Sequence, residues 1–167
     1  ISDLKGSSTS KYWQAITELA RPEFIDTSIP AVASIISDGM ISQDRGYDAL
    51  KTFAKRATDT TAELIVELVV HHHPAVAAAA IQSMSSLSKK IKPGAVPALV
   101  SFLKQSDTTV QQNVFAALGN LEIAFPASST SEFLRLSFHP DVNICTLALS
   151  ALGISAGELT EILPILT

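Results

Sequence analysis

The sequence is short of most of what catalysis and covalent bracing use. It holds a single cysteine, Cys145, among 167 residues, so no internal disulfide can form, which fits a reducing compartment. That thiol sits in an apolar stretch beside Ile144 and Leu147, the setting of an inert buried cysteine. Only 17% of the residues are charged and the formal net charge is -4, without the basic excess of a nucleic-acid binder. No apolar run approaches the roughly 18 residues that span a bilayer. The longest, Ala75 to Ile81, is mostly alanine and follows three histidines. The first residues, Ile1-Ser2-Asp3-Leu4-Lys5, lack the basic-then-apolar layout of a signal peptide. There is no phosphate-cradling glycine loop and no glycine-flanked serine elbow, and the plentiful serines stand in no nucleophile–base arrangement. Together these gaps give the expectation of a cytoplasmic protein that is not an enzyme, holds no cofactor or metal, binds no nucleic acid and spans no membrane.

What is present is apolar surface and a repeat. At 47% hydrophobic content the chain is too apolar for disorder and long enough to bury a sizeable core as one domain. The run Val110, Val114, Leu118, Leu121 recurs 34 residues earlier as Val76, Ala80, Met84, Leu87. It recurs 34 residues later as Ile144, Ala148, Leu152, with Gly153 on Gly119. A weaker copy, Gly46, Leu50, Ala54, precedes them at a spacing of 30. A second apolar segment keeps the same step: Ile35-Ile36, Ile65-Val66, Leu99-Val100 and Phe133-Leu134. Apolar positions at i, i+4, i+8 and i+11 are helical, and strand signals are absent. Pro30, Pro97 and Pro164 are read as first-turn prolines, where a missing N–H costs little. Asp44, Asp107 and Asp141 stand ahead of second helices as cap candidates, with Pro74 in that place in the remaining unit.

The unit is therefore helix, tight turn, helix. Pairs are expected at 29–57, 62–90, 95–122 and 129–154, after a flanking helix at Lys11–Ala20 and before a partial unit at 157–167. Residues 1–10 form an N-terminal extension, and 11–167 form one solenoid, read as a fragment of a longer chain. One such pair cannot cover its own apolar face, so neighbours must stack, with alanines and Gly119/Gly153 allowing close approach.

The stretch Gly94-Ala-Val-Pro-Ala-Leu-Val-Ser-Phe-Leu, then Asp107, then Val110-Gln-Gln-Asn-Val-Phe-Ala-Ala-Leu-Gly-Asn120-Leu121 resembles an armadillo-repeat unit. That family reads G-A-I-P-A-L-V-x-L-L, a small turn with Asp, then V-Q-x-x-A-x-W-A-L-S-N-L. The remaining pairs match in apolar spacing alone and look equally like HEAT units. The resemblance implies an all-α, right-handed α-α superhelix, an armadillo/HEAT-like solenoid of about four helix pairs plus flanking helices. It also implies a concave groove, lined by the last helix of each unit, in which armadillo proteins hold extended peptides by a ladder of asparagines and neighbouring tryptophans. Carried over by motif, Asn120 takes the ladder position and Ala116 the tryptophan position. The counterparts are Thr52/Arg56, Gln82/Ser86 and Ser150/Ile154, so one ladder asparagine of four is present and no groove tryptophan.

Several clusters carry two readings each. His71-His72-His73, read as helical, point about 100° apart and cannot converge on one ion. Glu63, Glu67 and His71 share a face but supply two ligands at most, so C-terminal dipole matching is preferred to a metal or a pH-sensitive patch. Lys51, Lys55, Arg56 and then Lys89, Lys90, Lys92 are read either as dipole-matched charges at second-helix C-termini or as a basic strip that attracts an acidic peptide. Tyr12 and Trp13 either cap the hydrophobic stack or anchor an interface. The function these readings favour is a protein-interaction module whose concave face takes a protein or peptide partner, with an acidic one fitted by the basic strip. Its expected contact residues are Arg56, Gln82, Ser86, Lys89 and Asn120. The alternative is a structural spacer, or a segment that self-associates through the apolar C-terminal helix at Leu159, Ile162 and Leu163.

Overall fold

The computed structural model describes residues 9–104 and 107–154, and every regular element among them is helical. In chain order these are α1 (Thr9–Leu19), α2 (Ile25–Ser37), α3 (Gln43–Lys55), α4 (Asp59–Val69) and α5 (Pro74–Ser83). A 3-10 turn at Met84–Ser86 follows, then α6 (Lys92–Phe102), α7 (Thr108–Leu121), a 3-10 turn at Ala127–Ser129, α8 (Thr130–Leu136) and α9 (Val142–Ile154). The expected partial unit at 157–167, its self-association face and Pro164 lie outside the described residues, as does most of the extension at 1–10.

The helices stack as two layers. α2, α4 and α6 pack in succession as one layer, and α3, α5, α7 and α9 as the other, with each α2–α3, α4–α5, α6–α7 and α8–α9 pair packed together. This is the all-α solenoid arrangement, in which each unit closes the apolar face of the one before it. The core runs the length of the stack: Tyr12, Ile16, Ile29, Leu50, Phe53, Ile65, Met84, Leu99, Leu103 and Phe133 are almost wholly buried. Half of α5 is alanine, and Ala77, Ala79 and Ala80 are buried where it packs between α3 and α7. Gly46 does the same job at the α2–α3 contact. A Cβ there would stand 2.6 Å from Ile36 Cδ1.

Local chemistry fixes most ends. The Asp107 carboxylate accepts the Thr109 and Val110 amides at 2.8 and 3.1 Å, and Asp141 accepts those of Asn143 and Ile144 at 2.8 and 3.2 Å. Asp44 is not a cap. Ser42 holds the Arg45 amide instead and leaves Asp44 inside the first turn of α3. Thr58 caps α4, and the buried Thr61 hydroxyl donates to Asp26 Oδ1 at 2.7 Å, tying α4 to α2. Pro74 stands at the start of α5. Pro30 and Pro97 are interior prolines, because α2 begins at Ile25 and α6 at Lys92. Each forfeits one intrahelical hydrogen bond.

α1 closes one end. Tyr12 is 2% exposed, its hydroxyl donates to the Arg45 carbonyl, and the Arg45 guanidinium lies over its ring at 5.1 Å. Burial, reinforced by the Asp48 carboxylate, holds the Tyr12 phenol well above its ordinary pKa. Trp13, packed edge-on against Tyr12, stays 42% exposed. The two aromatics thus divide the roles: Tyr12 seals the stack and Trp13 faces out.

Candidate interaction face

The second-helix layer presents a row of small or polar side chains. Thr52, Gln82, Ala116 and Ser150 occupy equivalent positions on α3, α5, α7 and α9, and all but the half-buried Thr52 are exposed. One step along, at the C-terminal ends, come Arg56 just past α3, Ser86 in the 3-10 turn after α5, and Asn120 on α7. That turn packs on both α3 and α7, which places Ser86 in the same edge as its neighbours. Ser86 and Asn120 are half-buried, and Arg56, Gln82 and Lys89 are exposed.

Two of these residues also hold the stack together. The Arg56 guanidinium donates to the carbonyls of Thr17 and Ala20 at 3.4 Å each, so its charge closes the C-terminal end of α1. The Asn120 amide donates to the Ile81 carbonyl of α5 at 2.9 Å. The same device recurs at residues that no sequence motif singles out. Asn113 on α7 donates to the carbonyl of Val69, the last residue of α4, at 3.4 Å. Gln111 and Arg135 both donate to the Leu103 carbonyl just past α6, each at 3.2 Å. Helix C-termini leave carbonyls unpaired, and here amide and guanidinium groups from other helices answer several of them. The available signal is a polar residue with several N–H donors on an otherwise small or apolar helix face.

The histidine run is not helical. α4 ends at Val69, Val70 caps it, and His73 is the extended residue before Pro74. His71 stacks on His72 with ring centroids 4.3 Å apart, and its Nδ1 accepts the His73 amide at 3.1 Å. His139 accepts the Asp141 amide in the same way, also at 3.1 Å. Instead of donating to the last carbonyls of α4, the imidazole therefore accepts the amide of the residue that opens the next helix. Burial, with His72 and His73 adding to it, lowers the His71 pKa from its ordinary 6.5. Among the described residues no group of three His, Cys, Asp or Glu is placed to hold a metal ion.

The two basic sets differ. Lys51 Nζ lies over the Tyr47 ring at 5.1 Å, and Lys55 closes α3, as dipole matching requires. Lys89 and Lys90 do not sit at a second-helix C-terminus, because α5 stops at Ser83 and these lysines stand ahead of α6. Both are exposed, and neither joins an ion pair among the described residues. Lys92 is in the first turn of α6 and is 7% exposed. Cys145 is half-buried, and its thiol donates to the Ser137 carbonyl at 2.9 Å.

The armadillo/beta-catenin-like repeat family matches residues 91–121, which is the α6–α7 unit. The chain thus carries an armadillo-like repeat within an all-α solenoid. Among solved structures, the crystal structure of an engineered protein from a structural genomics consortium aligns with a TM-score of 0.48 and 19% identity, over 93% of this chain and 77% of that one. No curated protein matches. Among the described residues no helix is long and apolar enough to cross a membrane.

Proposed function

We propose that the chain is a non-catalytic protein-interaction module that takes an extended, acidic polypeptide along the edge of its second-helix layer. The observation that carries this reading is the row Thr52, Gln82, Ala116, Ser150. These small or polar positions recur on α3, α5, α7 and α9, which pack one against the next, and in this reading they form a track for an extended chain. Arg56, Ser86 and Asn120 border that row at one end, and Lys89 follows in the turn ahead of α6. Arg56, Lys89 and Lys90 are exposed cations, and the two lysines join no ion pair among the described residues, so in this reading they steer an acidic chain. Asn120 and Arg56 have a double role in this reading: they brace neighbouring units and leave part of their polar surface towards the track. The single-solenoid organisation with pairs at 29–57, 62–90, 95–122 and 129–154 belongs to the same proposal, as does a reducing intracellular setting suited to a lone thiol.

The test uses substitutions that spare the bracing. An Asp/Glu-rich extended peptide titrated against the chain is expected to bind, to weaken with salt, and to lose affinity by about tenfold in Lys89→Glu/Lys90→Glu. Circular dichroism checks that the variant keeps its helices. Unchanged affinity in that variant overturns the placement of the face, and absence of binding returns the chain to the spacer reading.

A further inference from the structure

The opposite layer of the molecule carries a second surface of the other sign. Two troughs flank α4. One, of about 310 Å³, lies between α4 and α6 and is floored by Ala62, Val66, Ile91, Ala95 and Ala98. The other, of about 360 Å³, lies between α2 and α4 and is lined by Ile29, Ala33, Leu64 and Leu68, with His71 and His72 at its end. Asp59, Glu63 and Glu67 are all exposed and fall on one face of α4 at i, i+4 and i+8, about 12 Å from first to last. Asp59 and Glu63 border the first trough, and Glu67 borders the second. None of the three joins an ion pair among the described residues. The helices α2, α4 and α6 contain one cation between them, Lys92, which is 7% exposed.

We propose that this layer docks a basic amphipathic helix from a protein partner, with its apolar stripe in the trough between α4 and α6 and its flanking lysines or arginines over the acidic ridge of α4. Two features commit the occupant. The trough between α4 and α6 has an apolar floor and an acidic wall on α4, which suits one apolar helical stripe flanked by cations rather than a flat sheet edge. The ridge repeats one carboxylate per turn, the interval at which cations recur along one face of a helix. Lys89 and Lys90 stand in the turn ahead of α6, so the partner's cations lie towards α4. This surface is separate from the second-helix track, and its partner has the opposite charge.

The probe is a synthetic Leu/Lys amphipathic helix, with a Leu/Glu peptide of the same pattern as its counterpart, titrated by fluorescence anisotropy. The basic peptide is expected to bind at least tenfold more tightly than the acidic one, and more weakly at high salt. Glu63→Lys/Glu67→Lys is expected to weaken it by about tenfold or more. Glu23→Lys/Glu122→Lys makes the same charge change elsewhere and is expected to shift affinity by less than about threefold. Gly94→Phe tests the trough without touching charge. Gly94 is exposed at the trough, and a Cβ there meets nothing within 4 Å, so the ring fills the space while the helices stay in place. It is expected to weaken the basic peptide at least fivefold with unchanged circular dichroism. Equal binding of both peptides, an equal loss in the control reversal, or full binding by Gly94→Phe overturns the proposal. So does a chain dimer that dissociates on Gly94→Phe, since the occupant is then a second copy.

Discussion

Replacing Gly46 by alanine should destabilise the protein, although alanine is the better helix former. A Cβ at this position would lie 2.6 Å from Cδ1 and 2.7 Å from Cγ1 of Ile36, where ordinary carbon contacts are about 3.5–4.0 Å. Ile36 is 2% exposed and its neighbours are packed, so it has little room to yield. Forcing a methyl into such a site costs about 1–3 kcal/mol. The helix preference of alanine over glycine returns up to about 1 kcal/mol. With that return in full the net loss is about 0–2 kcal/mol, which in a domain of this size lowers Tm by up to about 8 °C. Gly119→Ala is the matched control, because a Cβ there meets nothing within 4 Å, and it is expected to stabilise by up to about 1 kcal/mol. Thermal melts followed at the helical circular-dichroism band, with Ile36→Val in both backgrounds, separate the causes. Alone, Ile36→Val costs about 0.5–1.5 kcal/mol. Beside Gly46→Ala it should cost less, because it relieves the overlap. A rise in Tm for Gly46→Ala, or the same Ile36→Val cost in both backgrounds, refutes the close α2–α3 approach.

Other consequences follow from the same contacts. Phe133 is 0% exposed and meets Phe125 and Phe115 at ring distances of 5.2 and 6.0 Å, so Phe133→Ala should cost about 3–5 kcal/mol by chemical denaturation. Arg56→Ala should speed amide exchange in α1 well before other helices, because it removes the donor to the Thr17 and Ala20 carbonyls; uniform exchange across the chain would contradict that role. The lowered His71 pKa has a definite sign. The unfolded chain takes up the proton more readily, so this contribution is intact above the ordinary 6.5 and is lost as pH falls below it towards the folded value. Urea midpoints should drop between neutral and mildly acidic pH, and by less in His71→Asn, whose side-chain oxygen can still accept the His73 amide.

The periodicity of the sequence carries the all-helical solenoid because stacking demands the same apolar step in every unit. Val76, Val110 and Ile144, each a step of 34 apart, record that demand directly. Caps were legible where a single residue decides the end, as at Asp107 and Asp141. They were not where a competitor stood near, as Ser42 does to Asp44. α5 ends at Ser83, short of the expected 90, for a chemical reason. Ser83 and Ser85 turn their hydroxyls onto the Ala80 and Gln82 carbonyls, and the helix tightens into a 3-10 turn well before Lys89. The histidine run departs from the helical period because Pro74 imposes an extended conformation on His73. The carbonyl ties were invisible for a different reason. Asn113 to Val69, Asn120 to Ile81 and Arg135 to Leu103 span 44, 39 and 32 residues and depend on where helix ends meet in space. Periodicity specifies which face is buried, not which carbonyl a polar side chain will find.

Amide-exchange footprinting decides whether a partner polypeptide lies along the second-helix layer. With an acidic extended peptide bound, protection should rise in the segments 78–90 and 112–121 and leave α2, α4 and α6 unchanged. Protection confined to α2, α4 and α6, with the second helices exchanging as in the free chain, would contradict the account.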